Sequence, residues 1–154
     1  MEGDAALVRD LARKNLALAA HLLKLGSTAR YCLFAAVWNE DCETIRLLLR
    51  HGAEVDEDTT PGETPLLGAV AWSKFGPAEA LLDAGANPDF QNPKGETALH
   101  LMLKKGSPLE ALRLFARHGA RGDIPDAKGQ TAAAVLRRKR DPAFRTLADE
   151  LATG

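Results

Sequence analysis

The chain is poor in cysteine, histidine and tyrosine, and each shortage excludes a class of protein. Two cysteines in 154 residues are too few for a disulfide-stapled fold, so we expect free thiols. Four histidines stand singly along the sequence, whereas a metal site needs several ligands at short spacing. One tyrosine and a pI of about 6.4 argue against a nucleic-acid binder, which needs basic charge and stacking rings.

Long apolar segments are missing too. The longest uncharged stretch near the N-terminus runs from Asn15 to Leu23, about half of what a helix needs to cross a bilayer. The chain opens Met-Glu-Gly-Asp, which is acidic where a secretion signal is basic. We therefore predict a cytoplasmic protein without a membrane-spanning segment. Its hydrophobic content of 45% still suffices for one folded domain.

Motifs that carry chemistry are likewise absent. The phosphate-binding sequence G-x-x-x-x-G-K-[ST] does not occur, and no spacing pairs a nucleophile with a base or two carboxylates with each other. We therefore predict that the chain is not an enzyme and holds no metal or cofactor.

The sequence does contain a period of 33 to 34 residues. Three similar segments begin at glycines with this spacing: GETPL at Gly62, GETAL at Gly95 and GQTAA at Gly129. A second set of glycines, each followed by alanine at the end of an apolar run, keeps the same step: Gly52, Gly85 and Gly119. A repeated structural unit explains both sets, because a duplicated catalytic loop would leave the second set unaccounted for.

Each period encodes two short helices and a loop. A threonine two residues after the opening glycine is expected to cap the first helix, at positions 64, 97 and 131. His100 lies three residues after Thr97, so its imidazole can reach back to the cap hydroxyl. The second helix carries apolar residues at helical spacing, as in TIRLLLR at 44–50. Eleven polar residues then lead to the next threonine and predict a projecting, hairpin-like loop.

This order of helix, turn, helix and loop resembles the ankyrin repeat. The segment GETALHLMLKKG at 95–106 is close to that family's G-x-T-P-L-H-L-A-A-x-x-G pattern, although the proline and the histidine stand in different copies, as Pro65 and His100. The resemblance implies an all-α fold, an ankyrin-type α-solenoid. The boundaries that follow are a single domain over 1–154, with an N-terminal capping helix pair at 1–28, repeats at 29–61, 62–94 and 95–128, and a C-terminal capping repeat at 129–154.

The resemblance also implies a function. Stacked repeats bind partners on one face, lined by the first helices and the loops, so we expect a non-catalytic module that holds one protein partner as an adaptor, an inhibitor or an immunity-type binder. The family's variable positions correspond here to Trp38, Asn39, Asp58, Thr60, Glu63, Trp72, Gln91, Lys94, Glu96, Lys104, Lys105, Lys128, Arg138 and Lys139.

Two features of this surface leave alternatives open. Trp38 and Trp72 can dominate binding, as tryptophan often does at interfaces, or their indoles can cover gaps between adjacent repeats. Charge is also uneven, because residues 39–63 hold eight acids against two arginines, whereas residues 94–145 hold twelve lysines and arginines against five acids. Such charges would orient a partner and speed its approach.

A second function class starts from the basic C-terminal half. The run RRKR at 137–140 resembles a patch for nucleic acid or an anionic surface. The plainer interpretation is a solvated face on the terminal repeat, where an array must present polar residues to water.

Overall fold

The computed structural model describes residues 27–58 and 60–152, and its regular elements are helices. They are α1 Ser27–Trp38, α2 Cys42–Arg50, α3 Pro65–Ala71, α4 Phe75–Asp83, α5 Ala98–Lys105, α6 Leu109–Arg117, α7 Ala132–Arg137 and α8 Pro142–Glu150. No strand forms within these ranges, and Pro125 pairs with Thr131 in an isolated antiparallel bridge. The all-helical prediction is confirmed, while most of the capping pair predicted at 1–28 lies outside the described residues.

The chain divides into two compact units between Ala86 and Asn87. The first contains α1 to α4 and the second α5 to α8. Inside each unit the members of a helix pair pack together, first helices pack on first helices, and second helices pack on second helices. In the described residues, each unit is therefore a stack of two helix pairs. None of the described helices is long and apolar enough to cross a membrane.

The predicted threonine caps stand at the starts of the first helices. Thr64 precedes α3, and its Oγ1 accepts a hydrogen bond from the Leu67 N–H at 3.3 Å. Thr131 precedes α7 and accepts from the Ala134 N–H at 3.2 Å. Each hydroxyl satisfies an amide that the first helical turn leaves without a partner.

The cap at Thr97 also involves the side chain of His100. Its N–H donates to Nδ1 of His100 at 3.2 Å, and its Oγ1 lies 3.0 Å from the same nitrogen, which confirms the predicted contact. Since Nδ1 accepts this backbone proton, Nε2 must carry the ring's own proton, and it lies 3.0 Å from the Gln130 carbonyl oxygen. His100 thus ties the start of α5 to the loop before α7.

Apolar residues at helical spacing fill the core of each unit. In the first, Leu33, Val37 and Ile45 are essentially inaccessible to water. In the second, Phe115 on α6 is the largest fully buried side chain among the described residues, and Leu99, Met102 and Leu112 are fully buried as well. Burying each such side chain contributes about 1.5 to 3 kcal/mol, so the packing of helix pairs holds each unit together.

The loop between α6 and α7 has the predicted hairpin-like form. The Asp126 N–H donates to the Gln130 carbonyl at 2.8 Å, and the Asp126 carboxylate accepts from the N–H groups of Lys128 and Gln130. These backbone donors lower the pKa of Asp126. The Ala127 N–H also donates to the Lys94 carbonyl at 2.9 Å, which joins this loop to the preceding one.

Candidate protein-binding surface

Three aromatic side chains of the first unit, Phe34, Trp38 and Trp72, meet in what we call the aromatic ledge. The Trp38 and Trp72 rings stand perpendicular with their centroids 4.7 Å apart, and Phe34 meets Trp72 edge-on at 6.4 Å. Trp38 is 52% exposed, the one exposed large hydrophobic side chain among those described. Trp72 is half-buried. The two indoles therefore pack on each other, and Trp38 is the more exposed of the pair.

Helix periodicity explains how the ledge forms. Phe34 and Trp38 are four residues apart on α1, so they share a face of that helix. Gly68 and Trp72 have the same relation at the end of α3. A Cβ at Gly68 would lie only 3.2 Å from Cε1 of Phe34, so glycine is what allows the ring to approach α3. Glycine inside a helix costs about 1 kcal/mol relative to alanine, which the aromatic packing offsets.

The turns beside the ledge are held by polar contacts. Asn39 donates from Nδ2 to the Ala35 carbonyl at 2.8 Å, in addition to the hydrogen bond that this carbonyl accepts from the Asn39 N–H at 3.0 Å. Glu40 and Lys74 form an ion pair between the turn after Trp38 and the turn after Trp72. These contacts position the two tryptophans relative to each other.

Residues 53–58 and 60–63 belong to a segment between α2 and α3 that we call the acidic loop. Its acids are Glu54, Asp56, Glu57, Asp58 and Glu63. No lysine or arginine occurs between Arg50 and Lys74. Asp58 accepts from the Gly62 N–H at 3.0 Å, and Thr60 donates to Glu63 at 2.7 Å. Asp58, Thr60 and Glu63, which the sequence places at a binding surface, thus shape this loop, and Thr60 and Glu63 are exposed on it.

Glu96 differs from the other predicted contact residues because it is buried, with 5% of its surface exposed. Its carboxylate accepts from Nδ2 of Asn92 at 3.1 Å and pairs with Lys104. The hydrogen bond from Lys104 lowers the pKa of Glu96 below its usual range. The side chain of Lys104 remains 61% exposed, so Glu96 positions this lysine and does not itself face outward.

The other predicted residues of the second unit lie on its loops and turns, except Lys105, which is the last residue of α5. Gln91 donates from Nε2 to the carbonyls of Gly95 and Pro125, at 2.8 and 3.0 Å, and so helps to join the two loops. Five basic residues are exposed to solvent: Lys94, Lys105, Lys128, Arg138 and Lys139. The structure brings together Trp38 with Trp72, Thr60 with Glu63, and Glu96 with Lys104.

Three features of the ledge were missed by reasoning from the sequence. Phe34, Gly68 and the Glu40–Lys74 pair contribute to its shape, yet none lies at a position that varies in the family. A spacing of four was the available signal, because Phe34 precedes Trp38, and Gly68 precedes Trp72, by one helical turn.

No protein-family model matches the chain, but a search of known proteins finds relatives with similar sequences. Inversin from Gallus gallus is 32% identical over 126 residues, covering 81% of this chain and 11% of inversin. The B-cell lymphoma 3 protein homolog from Mus musculus is 34% identical over 104 residues, covering 66% of this chain and 23% of that protein. The putative ankyrin repeat protein FPV022 of fowlpox virus is 32% identical over 130 residues, covering 82% and 21%.

A solved structure agrees with these relatives. The crystal structure of the ankyrin repeat domain of Bcl-3, described as a member of the IkappaB protein family, superposes with a TM-score of 0.67 at 31% identity. The match covers 77% of this chain and 50% of that one. The chain thus spans 11% to 23% of the length of the three curated relatives and half of the Bcl-3 chain.

Proposed function

Since the chain is an ankyrin repeat protein, we propose that it is a non-catalytic adaptor or inhibitor that holds one protein partner. The ankyrin repeat is a fold that mediates protein–protein interaction. The aromatic ledge is the centre of the proposed contact. The exposure of Trp38 carries the proposal, because a large apolar side chain left in water beside a packed aromatic cluster is typical of a binding residue.

The energetics favour Trp38 over its neighbours as the main contact. Covering a tryptophan at an interface often contributes on the order of 2 kcal/mol or more. Trp72, which itself packs against Phe34, already holds Trp38 in place on one side, so less side-chain freedom is lost when a partner covers it. Asn39, Thr60 and Glu63 stand on turns and loops of the same unit and supply polar contacts around it. In the second unit the exposed Lys104, held by Glu96, is a separate candidate contact residue.

The lining of one cleft in the second unit supports a non-catalytic role. This cleft, of about 150 Å³, is lined by His100, Lys104 and Asp126 among others, residue types that move protons in enzymes. Both ring nitrogens of His100 are engaged, with Thr97 and with the Gln130 carbonyl. The pKa of Asp126 is lowered, so this carboxylate is ionised and accepts backbone hydrogen bonds. His100, Asp126 and Lys104 thus form hydrogen bonds or ion pairs with other residues of the same unit.

The same proposal places the protein in the cytoplasm. Cys32 and Cys42 form no disulfide, which suits a reducing compartment. Fractionation of the native cells, followed by immunoblotting, tests this part, and recovery with the extracellular or membrane fraction would contradict it.

The binding site is tested by capture from native lysate with the tagged protein and with Trp38→Ala. We expect one protein to be retained by the wild type and to bind the variant at least tenfold more weakly, while circular dichroism and the melting temperature stay unchanged. Phe144→Ala is the matched control, because it also removes an aromatic ring, but from α8, which belongs to the second unit and not to the ledge. Equal capture by Trp38→Ala, with loss on Lys104→Ala and Lys105→Ala, would move the site to the second unit.

A second candidate function rests on the exposed run Arg138, Lys139 and Arg140. Arg137 differs because it pairs with Asp149 at 3.1 Å. Binding of single-stranded DNA or of phosphatidylserine vesicles that weakens steeply with salt and disappears when the three residues become glutamine would favour it. Binding that is unaffected by this change would remove it.

A further inference from the structure

The second unit carries more positive than negative charge. Residues 87–154 contain twelve lysines and arginines and eight aspartates and glutamates. Ion pairs engage four of these acids: Glu96, Glu110, Asp123 and Asp149. Backbone N–H groups engage three more: Asp89, Asp126 and Asp141. Glu150 is engaged as well, so the surplus of positive charge falls on cations that have no acidic partner.

Seven cations of this unit form no hydrogen bond or ion pair through their side chains within residues 27–58 and 60–152. All seven are exposed to solvent. Two of them, Arg117 and Arg145, lie on the second helices α6 and α8. The other five lie on two loops and on the turn after α7: Lys94, Lys128, Arg138, Lys139 and Arg140.

The cleft lined by His100, Lys104 and Asp126 lies between the first helices α5 and α7. Leu103 on α5 and Val135 on α7 form its apolar walls, and both side chains are half-buried. Its volume of about 150 Å³ is close to that of a cavity that accommodates benzene. The cleft can therefore hold one aliphatic side chain of a bound peptide.

Unpaired cations stand on both sides of this cleft. On the loop side, the Lys128 N–H donates to the Asp126 carboxylate at 2.8 Å, and the Lys94 carbonyl accepts from the N–H of the residue between them at 2.9 Å. On the helix side, Arg138 and Lys139 follow Val135 by three and four residues, about one helical turn. At about 1.5 Å per residue, these two cations lie roughly 5 to 6 Å along the axis from Val135. An extended peptide covers that distance in about two residues.

We infer that this cleft takes an acidic segment of the protein partner: an aliphatic side chain enters between Leu103 and Val135, and aspartate or glutamate within two positions of it meets Arg138 or Lys139. This deepens the proposed function and rests on it. Lys104 is balanced by Glu96, so the unpaired cations select the sign of the partner's charge, since complementary charge steers approach and rejects basic competitors.

Nucleic acid fits this surface less well than an acidic peptide. Proteins that hold single strands stack the bases on aromatic side chains, whereas the described residues that line the cleft include no phenylalanine, tyrosine or tryptophan. An apolar cleft with cations on both sides suits a segment that carries an aliphatic and an acidic side chain together.

The experiment is a selection from a displayed library of random twelve-residue peptides on the full-length protein. Peptides that also bind Val135→Gln are removed, because this change places a polar amide in the wall of the cleft, so that the survivors depend on the cleft. Circular dichroism first checks that the variant folds, and Leu103→Gln on the opposite wall replaces it if it does not. We expect the survivors to share an aliphatic residue with aspartate or glutamate within two positions of it.

The charge is tested with Arg138→Gln and Lys139→Gln together. We expect labelled synthetic copies of the selected peptides to bind this variant about threefold to tenfold more weakly in fluorescence anisotropy, given the usual strength of exposed ion pairs. Arg117→Gln with Arg145→Gln is the matched control, because it removes two unpaired, exposed arginines from the second helices, and we expect less than a twofold effect. Raising the salt from 0.1 M to 1 M shortens the Debye length from about 10 Å to about 3 Å and should remove the difference.

Three results would overturn the acidic partner: cleft-dependent peptides that are neutral or basic, no cleft-dependent peptide, or an equal effect of the two double variants. Labelled oligothymidine of twelve nucleotides is the comparison probe. If it binds more tightly than the peptides and loses binding in the same variant, the surface belongs to nucleic acid and the inference is wrong.

The outcomes also separate this inference from the proposed function. Capture from lysate that is lost with Trp38→Ala, while no acidic peptide is selected, would overturn the inference and leave the aromatic ledge as a binding site. Equal capture by Trp38→Ala, together with acidic peptides that depend on the cleft, would overturn the ledge and leave the cleft.

Discussion

Ser73→Gly should stabilise the protein, because Ser73 holds a backbone conformation that side chains disfavour. Its φ is +58°, in the left-handed region, and it is exposed in the turn between α3 and α4. A residue with a side chain costs about 1 to 2 kcal/mol there. Replacing the side chain by glycine removes this cost, but glycine also makes the unfolded chain more flexible, which lowers the stability by about 0.4 to 1 kcal/mol. The net expectation is a stabilisation of about 0.5 to 1 kcal/mol.

The repeats supply controls for this prediction. Glu40 and Gly106 occupy the equivalent turns of neighbouring helix pairs, at φ of 57° and 69°. A Cβ at Gly106 would meet nothing within 4 Å, so Gly106→Ala isolates the backbone effect and should destabilise by about 1 kcal/mol. Glu40→Gly should gain less than Ser73→Gly, since it also loses the ion pair with Lys74.

Urea unfolding measures these changes. Both tryptophans lie in the first unit, so their fluorescence reports on Ser73→Gly, and circular dichroism reports on Gly106→Ala in the second. A change of 1 kcal/mol corresponds to about 2 to 4 °C in the melting temperature of a chain of this length. An unchanged or lowered midpoint for Ser73→Gly, with Gly106→Ala also neutral, would refute the claim that this turn selects for glycine.

Three further outcomes are expected. Phe115→Ala should lower the free energy of unfolding by about 3 to 5 kcal/mol, because the ring is fully buried; a loss below 1 kcal/mol in urea unfolding would contradict this. Glu96→Gln should cost about 1 kcal/mol at pH 7. Because its pairing with Lys104 lowers the folded pKa, that stabilisation is present above the unfolded value of about 4.3 and disappears as the pH falls through the folded pKa. A pH-independent cost would exclude the carboxylate charge as its source. Gly68→Ala should displace the Phe34 ring, which its Cβ would crowd, and shift the tryptophan emission; an unchanged spectrum would show that the ledge does not depend on this glycine.

Local features of the fold were predictable because the residues that determine them are close in sequence. The caps at Thr64 and Thr131 depend on amides three residues away, and the contact of His100 with Thr97 spans one helical turn. The exposure of the two acids that precede capping threonines could not be predicted from neighbouring residues in the sequence. Glu63 and Glu96 hold equivalent positions, yet Glu63 is exposed and Glu96 is buried, because Lys104 and Asn92 enclose the second.

The amino-acid sequence by itself determined the repeat, its two helices and its caps, since these follow from interactions within a few residues and recur every 33 to 34 positions. Only the tertiary structure decided which tryptophan faces water. Trp38 and Trp72 lie near equivalent places in successive helix pairs, and their exposure depends on a contact between two helices: the missing side chain of Gly68 admits Phe34, Phe34 packs on Trp72, and Trp38 is left outside.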